Sequence, residues 1–234
     1  MSFAGAGKEA VEAWKVSGGA VEKVTALGTF FVNALYLVYN KKGACIHMWY
    51  GNTKVDFTSA DSVTWLEKAQ ELNASLGGLN VLVGEMEGFE TNKFMSCFKS
   101  GVTYLTNATP GDHKLLQIKG KGGKRIKEVA MSSTYFASLK DVFILDAKEK
   151  IFIQAGPRAS LYDRIAASSI ADDINKSQRG DKSSIIYMYE DAMNEEFWGH
   201  FKVPYPLAII MDAELRSSRV VALPLWSSSG TRSQ

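Results

Sequence analysis

The chain has 234 residues, of which 46% are hydrophobic and 22% charged, as is typical of a globular protein with one large or two small cores. Its net charge of +2 is too small to indicate binding to nucleic acid or to a membrane surface. Its two cysteines, Cys45 and Cys97, lack the spacing of metal ligands, so we expect two buried, reduced thiols in a cytoplasmic protein. We expect neither a signal peptide nor a transmembrane segment.

The first elements predicted along the chain are strands. Residues 13–16 predict an edge strand, which Ser17-Gly18-Gly19 ends. Between Phe30 and Gly51, two apolar runs rich in β-branched and aromatic residues flank the polar turn at 40–43. This pattern is typical of two strands joined by a short turn.

A long helix is predicted next, over residues 58–73, because apolar residues recur there at helical spacing behind a capping sequence. These apolar positions are Val63, Leu66, Ala69 and Leu72. Residues 79–83 predict a central strand buried on both faces. A short helix over 91–98 and a strand over 102–105 complete the unit.

The same order of elements recurs about a hundred residues later. The repeat starts with a strand over 115–120 and a basic hairpin over 121–127, followed by strand pairs, helices and a further strand. These later elements cover 135–136, 142–146, 151–156, 160–176, 184–189 and 194–198. Tyr162, Ala166, Ile170 and Ile174 are predicted to form the inner face of the second long helix.

A repeat of this size indicates a duplicated domain. The polar segment 106–112 marks the boundary, giving one domain over 1–108, a second over 109–202 and a tail over 203–234 that matches neither copy. Strands and helices interleaved with tight hairpins predict an α+β fold in each domain, with a mixed sheet covered by helices.

Several short phrases of the sequence carry a family resemblance. Trp49-Tyr50-Gly51-Asn52, Glu87-Gly88-Phe89-Glu90 and Phe98-Lys99-Ser100-Gly101 resemble the first domain of the gelsolin, villin and severin family. Leu116-Gln117-Ile118-Lys119-Gly120 and Asp141-Val142-Phe143-Ile144-Leu145-Asp146 resemble its second domain. The resemblance covers roughly residues 6–200, and its two-domain length is similar to that of compact members such as those of archaea.

That resemblance implies a five- or six-stranded sheet between a long and a short helix in each domain. It also implies a cytoskeletal protein that caps, severs or sequesters actin under calcium control, with the first long helix in a cleft of actin and the second domain on the filament side. The residues expected to face actin are Ser59, Ser62, Val63, Leu66, Gln70 and Asn73. A helix that docks in a groove needs such an apolar stripe, although the same spacing also occurs in helices that only face their own sheet.

The resemblance further implies calcium sites, because calcium is bound by convergent oxygens that include carboxylates. In the second copy the family's ligand positions fall on Lys140, through its carbonyl, and on Asp141 and Asp163, with Glu190 or Asp191 as a further ligand. In the first copy they fall on Asn33-Ala34 and Thr58, so we expect that site to be lost. A site shared with actin falls near Asn73 and Gly78. The alternative is that Asp141 and Asp163 only cap turns and helix ends.

A basic cluster lies at the start of the second copy, in Lys119, Lys121, Lys124, Arg125 and Lys127. Such a cluster attracts phosphorylated lipid head groups, and the resemblance implies that it binds phosphoinositides or the filament side. A solvated turn is the alternative.

Catalysis is not expected, because the surroundings of the three histidines contain no HExxH, GxSxG or P-loop pattern. The alternative to an actin regulator is a scaffold or adaptor module with the same fold and no actin activity.

Overall fold

A computed structural model describes residues 3–52, 60–106, 113–119, 125–188 and 194–201, without the side chains of 60–62. Twelve strands lie within these ranges: β1 (Val11–Ser17), β2 (Ala20–Val24), β3 (Thr29–Phe31), β4 (Leu35–Asn40), β5 (Cys45–Tyr50), β6 (Val81–Met86), β7 (Val102–Leu105), β8 (Lys114–Lys119), β9 (Arg125–Val129), β10 (Val142–Asp146), β11 (Lys150–Ala155) and β12 (Ser184–Tyr187). The helices are α1 (Ala60–Ser75), α2 (Asn92–Met95), α3 (Leu161–Gln178), α4 (Glu195–Gly199) and a 3₁₀ turn (Ser133–Ala137). No helix in this part of the chain is long and apolar enough to cross a membrane.

The strands form two mixed sheets, so the predicted α+β class is confirmed. The first sheet has the order β2-β1-β4-β5-β6, and the second has the order β12-β11-β10-β8-β9-β7-β3. The second sheet has seven strands, more than the five or six expected, because β3 and β7 come from the first half of the chain. Strand β7 pairs in parallel with β3 on one side and with β9 on the other, and its pairing with β9 joins the two halves.

Each sheet lies between a long and a short helix, as expected. On one face of the first sheet, Trp65, Ala69 and Leu72 of α1 pack against strand residues such as Leu37 and Ile46. On its other face, the segment around α2 packs with β3 and β7 in a second apolar cluster. The second sheet is covered in the same way by α3 on one face and by the 3₁₀ turn and α4 on the other.

Close backbone contacts recur at matching places in the two copies. A Cβ atom added to Gly51, after β5, would lie 1.9 Å from the carbonyl oxygen of Val32. A Cβ atom added to Gly156, after β11, would lie 2.6 Å from the backbone of Leu139. Any side chain would collide there, so both positions require glycine.

Four details differ from the expectations for the strands. The strand over 13–16 lies inside the sheet, because β2 pairs with β1 across the Gly18-Gly19 turn. The run that begins at Phe30 divides into β3 and β4, which belong to different sheets. The strand expected to be central over 79–83 is the edge strand β6, whose Val81 is exposed. Tyr135 and Phe136 lie in the 3₁₀ turn instead of a strand.

The inner face of α3 also differs from the prediction. Its buried residues are Ala167, Ala171, Ile174 and Asn175, whereas Tyr162 is 74% exposed. Alanines fill this face because α3 packs directly on β10 and β11 of the sheet. The cysteines are free thiols, but only Cys45 is buried, and Cys97 is half-buried.

Candidate functional site

The rotation of α1 about its axis is fixed by its buried side. Trp65, Ala69 and Leu72 are no more than 5% exposed, and the Trp65 indole N–H donates a hydrogen bond of 3.2 Å to the carbonyl of Tyr36. Burial of a large apolar side chain contributes about 1.5–3 kcal/mol, so these contacts hold α1 firmly on the sheet. The opposite side of the helix is therefore held outward.

That outer side carries Val63, Leu66 and Gln70, which we name the outer stripe. Val63 is 57% exposed, Leu66 is 45% exposed, and Gln70 is also exposed. The four apolar positions taken from the sequence as one set thus divide, with Ala69 and Leu72 inside and Val63 and Leu66 outside. Ser59 and the side chain of Ser62 lie outside the described part of the structure.

Asn73, expected near a shared calcium site, ties the end of α1 to the following segment. Its side-chain oxygen accepts hydrogen bonds from both nitrogens of Asn80, at 3.0 Å from the backbone and 3.2 Å from the side chain. Asn175 does the same in the second copy, where its oxygen accepts from the backbone N–H of Ser183 at 2.9 Å. The recurrence of this contact gives Asn73 a structural role.

Asp141 and Asp163 are the carboxylates expected to bind calcium in the second half. Asp141 accepts a hydrogen bond of 2.7 Å from the Gln117 amide. Asp163 accepts one of 2.7 Å from the Ser160 hydroxyl with its Oδ2 atom, as in a helix cap. Its Oδ1 atom is buried and has no hydrogen-bond partner among the described residues. A buried carboxylate oxygen of this kind fits a cation ligand, because an unpaired anionic group is costly to bury.

The rest of the expected calcium set is less complete. Lys140 is exposed, so its ammonium can point into solvent. Glu190 and Asp191 lie outside the described residues, within which no three His, Cys, Asp or Glu side chains converge as metal ligands. In the first copy, Asn33 is exposed and Ala34 is buried at the matching place, and Thr58 is not described.

The basic cluster is divided between ion pairs and solvent. Arg125 pairs with Glu90 at 3.2 Å, and Lys127 pairs with Glu87 at 2.6 Å, so both reach back to the first half of the chain. Lys119 is exposed, and Lys121 and Lys124 lie outside the described residues.

Glu90 is the centre of the contact between the halves. Its Oε1 atom accepts from the Trp49 indole at 3.1 Å and from the Tyr104 hydroxyl at 2.6 Å, while Oε2 faces Arg125. Burial, followed by the hydrogen bond to Glu90, raises the pKa of Tyr104, so this hydroxyl stays protonated and donates. The only signal of this network in the sequence is the alternation of Arg125, Ile126 and Lys127, which puts both cations on one face of a strand.

A second buried polar chain lies inside the first half and was not predicted. Cys45 Sγ lies 3.2 Å from His47 Nε2, and His47 Nδ1 lies 2.7 Å from Glu85 Oε1. The order resembles a nucleophile, base and carboxylate, but all three residues are no more than 1% exposed. Burial also raises the pKa of the Cys45 thiol, which keeps it in the unreactive protonated form. The three residues are therefore a structural hydrogen-bonded set that substrates cannot reach.

The architecture defines a duplicated α+β protein whose long helix α1 presents an exposed apolar stripe.

No family model matches the chain. It is 30% identical over 225 residues to Villin-4 of Arabidopsis thaliana, covering 86% of this chain and 23% of that protein. It is 28% identical to cytoplasmic gelsolin of Homarus americanus, covering 83% of this chain and 28% of that protein.

A shorter relative is the actin depolymerising venom protein gelsolin 1 of Platymeris rhadamanthus, 28% identical with 82% of this chain and 56% of that protein covered. A solved chain of the Thorarchaeota 2DGel3/rabbit actin complex aligns with 82% of this chain at a TM-score of 0.35 and 20% identity, too low a likeness to support an inference. The chain is a homologue of the gelsolin and villin proteins. It spans about a quarter of the length of the plant villins it matches.

Proposed function

We propose that this protein binds actin through the outer stripe of α1. The observation that carries the proposal is the exposure of Val63 and Leu66 on a helix whose other side is anchored by Trp65, Ala69 and Leu72. An amphipathic helix with a second, exposed apolar strip is suited to dock in a hydrophobic groove of a partner. The relatives named for actin or gelsolin supply the identity of that partner.

The second half provides the second contact in this proposal. It lies beside the first half through the β7–β9 pairing, so both halves can meet one filament at a defined spacing. A protein that occupies an actin cleft with α1 and the filament side with the second half would cap, sever or sequester actin. Lys119, Lys121 and Lys124, the remaining members of the basic cluster, are proposed to meet the filament side or phosphoinositide head groups.

Calcium regulation is proposed at Asp141 and Asp163, with the Lys140 carbonyl. The support is the buried Oδ1 atom of Asp163, which has no hydrogen-bond partner within the described ranges. When bound, calcium would neutralise the two carboxylates and draw the start of α3 toward the end of the segment before β10. Calorimetric titration tests this assignment: Asp141→Ala with Asp163→Ala should abolish the calcium heat, whereas Asp172→Ala, an exposed acid on the same helix, should leave it unchanged.

Actin assembly with the full chain, followed by pyrene fluorescence and by microscopy of filaments, tests the actin proposal. We expect slower elongation and shorter filaments, with a larger effect in calcium than in chelator. Unchanged polymerisation and filament length in both conditions would contradict the proposal and favour the scaffold alternative.

A further inference from the structure

Two histidines that the proposed function leaves unused meet where the second half begins. His113 directly precedes β8, and His200 directly follows α4. Their ring centroids are 4.8 Å apart with an interplanar angle of 46°. His113 is exposed, while His200 is half-buried against Phe152.

The spacing of the rings suits a shared metal ion. Metal–imidazole bonds of about 2.0–2.1 Å at tetrahedral to square angles put the centroids of two ligating rings roughly 4.5–5.5 Å apart. The Nε2 atom of His200 is buried and has no hydrogen-bond partner among the described residues. A native protein seldom leaves such an atom unpaired, and metal ligation is one way to satisfy it.

The protonation state of His200 is also favourable for ligation. Burial, together with the neighbouring His113, lowers the pKa of His200, so its imidazole is neutral at pH 7 and keeps a free lone pair. Ligation by histidine requires this neutral form.

A carboxylate, Glu196, lies four residues before His200, which caps the C-terminal end of α4 and keeps helical backbone angles. Residues four apart on a helix lie on one face, so Glu196 is near His200. Glu196 is paired with Lys150 at present. Accordingly, no three potential ligands converge in the described part of the structure, and Glu196 must leave Lys150 to become the third.

We propose that His113 and His200 bind a divalent transition metal of the zinc class, with Glu196 as the third ligand. Imidazole ligands select zinc, nickel or copper over calcium, so this site is chemically distinct from the proposed calcium site. A bound ion would link the start of β8 to the end of α4. The start of β8 directly follows the segment that joins the two halves.

The test uses the full chain and zinc ions at pH 7, followed by NMR of the imidazole resonances. The chain has three histidines, and the third, His47, is completely buried between Cys45 and Glu85, so it serves as an internal control. We expect the resonances of His113 and His200 to shift together and to saturate at one zinc ion per chain, while those of His47 stay in place.

Variants separate this site from weak binding at the surface. His113→Gln and His200→Gln should each weaken zinc binding about tenfold or more, because each removes a ligand. Glu196→Gln should weaken it less, and Glu195→Gln, its exposed neighbour, should not change it. The proposal is overturned if zinc shifts neither ring, if the two rings shift at different zinc concentrations, or if His113→Gln leaves the shift of His200 unchanged.

Discussion

Arg125 of the second half donates two hydrogen bonds of 3.2 Å to Oε2 of Glu90 in the first half. The carboxylate of Glu90 is fully buried, whereas the arginine side chain is 30% exposed. The sequence analysis predicted that Arg125 binds lipid head groups or the side of a filament. Its position beside Glu90 means that a substitution there disturbs the joint between the halves as well as any surface charge.

We therefore predict that Arg125→Ala lowers the free energy of unfolding by about 2–3 kcal/mol, because it leaves a buried carboxylate without its cation. Urea denaturation measures this change. Lys119→Ala is the matched control, since Lys119 is exposed and lies opposite Arg125 in the β8–β9 register. Its effect should stay within about 0.5 kcal/mol. Equal effects of the two substitutions would show that the Glu90 pair does not stabilise the fold.

The lowered pKa of Glu85 should make the free energy of unfolding fall as the solution is acidified. Burial of Glu85 favours its neutral form, but hydrogen bonds from His47 and Thr91 outweigh it and lower the pKa below the ordinary value of 4.5. A folded-state pKa that is lowered contributes stability above about pH 4.5, and this contribution is lost as the pH falls through the folded value. Unfolding free energies measured between pH 7 and pH 3 should therefore fall less steeply for Glu85→Gln than for Glu22→Gln, an exposed control. Parallel curves would refute this linkage.

Substitution of Asn73 and Asn175 tests whether Asn73 stabilises the fold through hydrogen bonds or serves as a calcium ligand. If Asn73 acts through its hydrogen bonds to Asn80, Asn73→Ala should cost about 1 kcal/mol of stability, and Asn175→Ala should cost a similar amount. Thermal unfolding with and without calcium measures both. A loss at Asn73 that appears only in calcium would instead support the shared metal site implied by the family resemblance.

Cys97 should react slowly in the folded protein despite its partial exposure. Burial, followed by the nearby Cys45, raises the pKa of the Cys97 thiol to about 11. Because the thiolate is the reactive form, labelling by a disulfide reagent should accelerate about tenfold per pH unit between pH 8 and pH 10. Cys97→Ser should remove this phase, leaving only Cys45, which reacts after denaturation. Rapid labelling at pH 8 would contradict the raised pKa.

Local patterns predicted most of the elements but not their neighbours. Hairpins such as β4–β5 and β10–β11 were predictable because apolar runs and a polar turn lie close together in the sequence. The parallel pairing of β7 with β9 was not, because it depends on residues of two repeats meeting in space. For the same reason the sequence predicted the cations Arg125 and Lys127 but not their partners Glu90 and Glu87.

The face of a helix was equally hard to predict from spacing alone. Val63, Leu66, Ala69 and Leu72 share a helical period, yet the indole of Trp65 decides which of them turns inward. In α3 the small alanines at 167 and 171 face the sheet, and the larger Tyr162 and Ile165 are exposed. Periodicity identifies an apolar face, but volume and close approach decide which residues occupy it.

The proposal that the outer stripe binds actin is tested most directly by the affinity of the chain for monomeric actin. Val63→Asp with Leu66→Asp should raise the dissociation constant roughly tenfold or more, because a charge replaces each apolar anchor. Ile165→Asp is the matched control, since Ile165 is 58% exposed on α3 and Val63 is 57% exposed on α1. Calorimetry at one calcium concentration should show weak binding for the α1 variant and unchanged binding for the α3 variant. An unchanged dissociation constant for the α1 variant, with its fold intact by circular dichroism, would contradict the account.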